Sequence, residues 1–111
     1  MEEILYDKKT VAVRNERYYE MVLQYSLIEE MLAVEYCELK SYGVQIKKTA
    51  YFQDGHTERE CKRISGLFFS RQEAERFLSI LAKNQVTPIG LRPVVEDYAG
   101  KTGKHRSLIE V

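Results

Sequence analysis

Tyr19, Met21, Leu23, Tyr25 and Leu27 alternate along the chain with Tyr18, Glu20, Val22, Gln24 and Ser26. One set is wholly apolar and the other mostly polar. Successive side chains of a strand point to opposite faces, so this period of two predicts a half-buried strand from Arg17 onward. Glu29-Glu30 interrupts the alternation, and Leu32, Val34 and Tyr36 resume it. The pattern therefore predicts a reversal between antiparallel strands near Glu29-Glu30. Ser41-Tyr42-Gly43 predicts a bend, since glycine inside a strand marks a bulge.

The next strand runs from Val44 to Phe52 and meets Asp54-Gly55, a strong hairpin signal. Charge decides its register. A two-residue loop would set Lys47 opposite Lys62 and Ile46 opposite Arg63, both poor pairings. A three-residue loop, Gln53-Asp54-Gly55 with Gly55 left-handed, instead pairs Lys48 with Glu60 and Val44 with Ile64. The three-residue loop is the expectation, because a one-residue slip would send Val44 and Ile64 to opposite faces.

After the strands the period changes to that of a helix. Ser70-Arg71-Gln72-Glu73 forms a capping box, with Ser70 as N-cap, Glu73 at the third helical position and Phe69 placed to staple onto Ala74. Ala74, Phe77, Leu78 and Leu81 then make one apolar stripe. Lys83 falls in the last turn, and Asn84 is placed for the left-handed position that closes it. A connector, Val86-Thr87-Pro88-Ile89-Gly90, leads to a second helix with Leu91, Val94, Val95 and Tyr98 at the same spacing. Proline is tolerated only in a first turn, so Pro93 puts the start of this helix at Gly90 or Leu91, and its end falls near Gly100.

These elements predict an α+β fold: an antiparallel sheet of three to four strands, a meander with a Gln53–Gly55 hairpin, followed by two C-terminal helices packed on one face. Residues 1–16 carry weak strand signals at Thr10-Val11-Ala12-Val13, flanked by charge, and read as a loosely attached arm. Residues 17–99 form the single domain and 100–111 a basic flexible tail.

The helix Glu73 to Asn84 running into Gln85-Val86-Thr87-Pro88, the later Leu91 with Val94-Val95-Glu96-Asp97-Tyr98, and Ser41-Tyr42-Gly43 upstream together resemble an uncharacterised family of short proteins from clostridia and related Firmicutes. Gly90 and Pro93 depart from its pattern. The resemblance implies a shared fold and assigns no chemistry.

Composition narrows the function classes. The 111 residues are 44% hydrophobic and 31% charged, which suits one ordinary globular domain rather than a disordered chain. Seventeen basic residues balance seventeen acidic ones, so no overall field draws the protein to nucleic acid or an anionic membrane. No apolar run approaches the roughly 18 residues of a membrane span, and the opening Met1 to Asp7 lacks the features of a signal peptide. The expected location is cytoplasmic, in keeping with Cys37 and Cys61 as two separate reduced thiols.

No constellation of catalytic residues emerges. Gly100-Lys101-Thr102 matches only the end of a phosphate-binding loop, because Val95 stands where the first glycine is needed. His56-Thr57-Glu58 echoes half of a zinc-deaminase signature whose paired cysteines are missing. Cys37 lies among Glu35 and Glu38, and Cys61 beside Lys62 and Arg63, without a histidine to act as base. Glu29-Glu30 and Glu96-Asp97 are neighbours that diverge on strand or helix. The expectation is therefore no catalytic, cofactor-binding or metal-binding residue and no cofactor.

What remains is surface chemistry. Eight tyrosines stand beside no tryptophan, and most fall in or near strands, where tyrosine suits a half-buried position and also an interface. The candidate interaction surface comprises Tyr18, Tyr42, Tyr51, Arg92, Glu96 and Asp97. The function expected is a protein-interaction or small regulatory domain without catalysis, with a protein partner or self-association and no membrane. Nucleic acid is not the expected partner. The alternative is weak nucleic-acid binding through the tail Lys101 to Arg106 with Lys47, Lys48, Lys62 and Arg63.

Overall fold

The computed structural model describes residues 2–12 and 18–102, with side chains described for 2–11, 20–33 and 35–98. Six elements follow in order: β1 (Glu2–Ala12), β2 (Tyr18–Val34), β3 (Cys37–Phe52), β4 (Thr57–Phe68), α1 (Arg71–Lys83) and α2 (Leu91–Thr102). The strands form one antiparallel meander in the order β1-β2-β3-β4. Both helices follow it, as the change of period predicts.

The β3–β4 hairpin has the register that charge favoured. Val44 pairs with Ile64 and Lys48 with Glu60, and Lys48 Nζ lies 3.7 Å from Glu60 Oε1. The Phe52 N–H donates to the His56 carbonyl at 3.0 Å, which closes a three-residue loop with Gly55 at φ 93°.

Elsewhere the chain departs from its pattern. The β2–β3 reversal falls at Glu35-Tyr36, not at Glu29-Glu30. Glu29 stays in the strand opposite Tyr42 and is held there by Lys40 at 3.3 Å. The turn is hard to read because Glu35 takes the left-handed φ of 45° that glycine or asparagine would signal. Ser41-Tyr42-Gly43 continues β3 without a bend. The irregularity lies across from it, in β4, where Tyr42 pairs with Phe68 but Val44 with Ile64.

Residues 2–12 of the expected arm are an edge strand, joined to β2 from Glu2↔Glu29 to Ala12↔Glu20 with a bulge at Tyr6. An edge strand tolerates the charges that mask its pattern. Here they tie it down. The Glu3 carboxylate accepts from the Ser26 hydroxyl at 3.2 Å and lies 3.4 Å from Lys47 Nζ and 3.7 Å from an Arg63 guanidinium nitrogen. Desolvation pushes the Glu3 carboxyl upward, but the Gln45 amide, Lys47 and Ser26 outweigh it and hold it below its ordinary range.

The helices cover one face of the sheet. On that side Leu23, Tyr25 and Leu27 of β2 and Tyr42, Val44 and Ile46 of β3 pack with Leu67, Phe68, Ala74, Phe77, Leu78, Leu81, Leu91 and Val95. Ser70 caps α1, its hydroxyl accepting from the Glu73 N–H at 3.4 Å. Phe69 is exposed rather than stapled down. At the other end the left-handed position falls on Gln85, φ 51°, and not on Asn84. Gln85 N–H then donates to Ala82 O and Val86 N–H to Leu81 O, the two bonds that close a helix in the Schellman manner.

Tyr25 locks this corner to the sheet. Its side chain is fully buried and its hydroxyl donates to the Val86 carbonyl at 2.9 Å. Desolvation, with the charge of Asp7 second, pushes its phenol up to about 12. Below pH 10 the folded and unfolded chains both keep this proton. Above pH 10 the unfolded chain loses it first, so stability falls as pH rises toward 12. The expected loss is about 2–3 kcal/mol. Urea denaturation across this range should show that slope, and Tyr25→Phe should flatten it while costing about 1 kcal/mol near neutrality.

Candidate groove along the open edge of β4

Among the described residues β4 pairs with β3 on one side only, so its other edge is open to them. Phe52 and His56 form a hydrogen-bonded pair, and bonding alternates from there along an antiparallel ladder. Glu58, Glu60, Lys62 and Ile64 therefore bond inward to β3. Arg59, Cys61 and Arg63 direct their N–H and C=O groups outward. Such an edge is a template for another strand.

Above this edge the α1–α2 connector makes a wall. The Gly90 N–H donates to Thr87 O at 3.0 Å and Leu91 N–H to Pro88 O at 3.2 Å, a tight turn that runs directly into α2. Pro93 then sits in the first turn of α2, where a missing N–H costs nothing. The turn buries Pro88 and leaves Ile89 80% exposed, so a large aliphatic side chain faces solvent beside the strand. Between wall and edge lies a groove of about 620 Å³, lined by Glu60, Cys61, Lys62, Pro88, Ile89, Arg92 and Pro93.

Its electrostatics are lopsided. Glu60, the one acid in the lining, is engaged by Lys48. Lys62 and Arg92 have no ion pair among the described residues. The groove thus combines an apolar wall, two uncompensated cations and a row of free backbone groups.

Of the residues expected on an interaction surface, Arg92 lines the groove and Glu96 lies exposed one helical turn beyond it. Asp97 is exposed on α2. Tyr42 is buried at 8% exposure, because β3 turns it toward the helices, and it presents no surface. Tyr51 is half-buried on the opposite face of the sheet. Tyr18 begins β2, and its side chain lies outside the described residues. These six are not brought together. Pattern reading missed Pro88 and Ile89 as site residues and named Lys62 only as a strand cation for nucleic acid; an isoleucine between Pro88 and Gly90 in a connector was the available signal.

The other fragments resolve into structure. His56 is hydrogen-bonded to the Asp54 carboxylate, approaches Glu58 at 3.5 Å and stacks on Phe52 with ring centres 4.1 Å apart. The Asp54 contact raises the His56 imidazole above its ordinary value, while the His56 N–H lowers Asp54. Both effects belong to a solvated turn. Among the described residues no group of three His, Cys, Asp or Glu could hold a metal ion. Gly100-Lys101-Thr102 is the helical end of α2 rather than a loop. Cys37 and Cys61 are free and exposed.

The four strand cations considered for nucleic acid are split. Register places Lys47 and Arg63 on the face away from α1 and α2, both beside Glu3, and Lys48 and Lys62 on the helix face. A smaller hollow of about 420 Å³ on the face away from the helices includes Gln24, Lys47, Thr49, Arg59 and Cys61. Residues 103–111 of the basic tail lie outside the described residues. No helix of the described chain is long and apolar enough to cross a membrane.

No curated protein and no solved structure matches this chain. A family model, that of a family of unknown function (DUF6514), matches residues 2–101, which take in every strand and all but the last residue of α2, and the chain belongs to that family.

Proposed function

We propose that the chain is a non-catalytic protein-binding domain that takes an extended segment of a partner as a fifth strand along β4. The observation that carries this reading is the groove itself, an open strand edge under a wall bearing Ile89, Pro93 and the free cations Lys62 and Arg92. Backbone pairing supplies affinity in strand addition, and pockets for alternate side chains supply specificity. The lining therefore selects a segment in which acidic and apolar residues alternate. A reducing, cytoplasmic setting accords with two free thiols.

The test is a titration of the full chain with a short peptide of alternating glutamate and isoleucine. Binding should protect the outward amides of Arg59, Cys61 and Arg63 from hydrogen exchange. Arg92→Glu should weaken it about tenfold or more, as removal and reversal of a desolvated charge does. A peptide with lysine in place of glutamate should not bind. If the responding amides lie along β1 at the other edge of the sheet, or if Arg92→Glu changes nothing, the reading is wrong.

A further inference from the structure

Pairing with β1 reaches along β2 only to Glu29, and pairing with β4 reaches along β3 only to Tyr42. Residues 30–41 therefore project past the four-stranded sheet as a two-stranded arm. A bare two-stranded ribbon is marginal in water, and this one is poorly suited to stand alone. Met31, Leu32, Tyr36 and Leu39 are all exposed on it, with Leu32 and Leu39 directly opposite each other.

The arm also carries the charge that the groove lacks. Lys40 is held by Glu29, while Glu30, Glu35 and Glu38 have no partner among the described residues. The arm thus presents three free carboxylates interleaved with large apolar side chains. Among the described residues its outer backbone edges are unpaired on both sides, Glu30–Val34 and Cys37–Ser41. Five residues of strand span about 17 Å, the length of the β4 edge from Arg59 to Arg63. An acidic-apolar strand with a free edge and a basic-apolar groove with a free edge stand on one molecule, too far apart along the sheet to meet within it.

We infer that the occupant of the β4 groove is the β2–β3 arm of a second copy of this chain. This rests on the reading of the groove as a strand-addition site and names its partner. Each copy offers one arm and one groove, so a reciprocal exchange satisfies both and closes as a dimer. On the ribbon Glu38 shares a face with Met31, and Glu30 shares the opposite face with Leu32 and Leu39. The strand that enters the groove therefore turns one such acidic-apolar face to Lys62, Arg92, Ile89 and Pro93, with Glu35 at the tip.

Sedimentation of the full chain from 1 to 200 µM, in low and high salt, is the measurement. A monomer–dimer equilibrium weakened by salt is expected. Glu30→Lys/Glu35→Lys/Glu38→Lys should weaken association about tenfold or more, as should Lys62→Glu/Arg92→Glu. Mixing the two variants, each with intact thermal unfolding, should restore a heterodimer, which misfolding could not produce. A synthetic peptide of residues 30–41 should compete with the dimer. A dimer indifferent to both charge reversals would overturn the inference. A strict monomer whose groove still binds the glutamate–isoleucine peptide would overturn the partner and leave the groove standing. Failure of both would remove the two together.

Discussion

Gly43→Ala should cost this domain about 3 kcal/mol or more, enough to lower its melting temperature by about 10 °C or beyond. An alanine Cβ at this position would lie 2.2 Å from the Ile64 carbonyl oxygen and 2.7 Å from Ser65 Cα. Both are backbone atoms of β4, so no side chain can rotate away and the strands themselves must part. The close approach has a cause in the ladder. Tyr42 pairs with Phe68 and Val44 with Ile64, so Ser65, Gly66 and Leu67 all pass opposite the single residue Gly43. That bulge also breaks the alternation of β4 and lets Leu67 and Phe68, neighbours in sequence, both enter the core. Gly66→Ala is the informative comparison. Gly66 has φ 66° but open space around its Cβ position, so it should cost only the strain of a left-handed residue, roughly 1–2 kcal/mol. Calorimetry of the two variants separates the effects, and a Gly43→Ala melting point near that of the native chain would show the contact to be misjudged.

Why some elements are legible and others are not follows from where their determinants lie. The β3–β4 register depends on cross-strand neighbours whose identities are local, such as Lys48 with Glu60, and on Gly55 in a turn. The helix α1 is bracketed by Ser70 and Glu73, and α2 by Pro93. These signals are written in the residues that form the element. The β2–β3 turn carries none, because Glu35 adopts a left-handed conformation with nothing at Glu35-Tyr36 to advertise it. β1 hides for another reason. Its half-buried Ile4 and Val11 are diluted by Asp7, Lys8 and Lys9, which an edge strand can hold in water. The family resemblance drawn from the helices and Ser41-Tyr42-Gly43 points to a fold, and the matched family of unknown function leaves the site equally open. The groove is legible least of all. It arises only when a connector bearing Pro88 and Ile89 is set down beside Lys62, 26 positions before Pro88, and that juxtaposition depends on Tyr25 holding Val86 from across the sheet.

The wall of the groove makes a second large effect predictable, at a residue outside its lining. Phe77 is 1% exposed, with its ring centre 5.7 Å from Phe68 of β4 and 4.8 Å from Tyr98 of α2. It thus ties α1 to β4 and to α2, whose Phe68 and Tyr98 also meet edge to face with ring centres 6.3 Å apart. Phe77→Ala removes the central ring of this group, leaves a cavity beneath α2, and should cost about 3–5 kcal/mol. The loss will not be spread evenly. The sheet keeps its ladder and its Leu23, Tyr25, Val44 and Ile46 packing, whereas α2 is fixed to the body chiefly by Leu91, Val95 and the half-buried Val94 and Tyr98. Hydrogen exchange should accordingly show α2 opening at lower free energy than β2 and β3, which local unfolding permits when one element has few buried contacts. The groove should fail with it, although Lys62 and Arg92 are untouched, because Arg92 and Pro93 are carried by the first turn of α2. Phe77→Leu, which fills most of the space, should cost about 1–1.5 kcal/mol and keep the groove closed enough to bind. A Phe77→Ala variant that loses stability uniformly across sheet and helix, with binding intact, would mean that α2 is held by something other than this aromatic cluster.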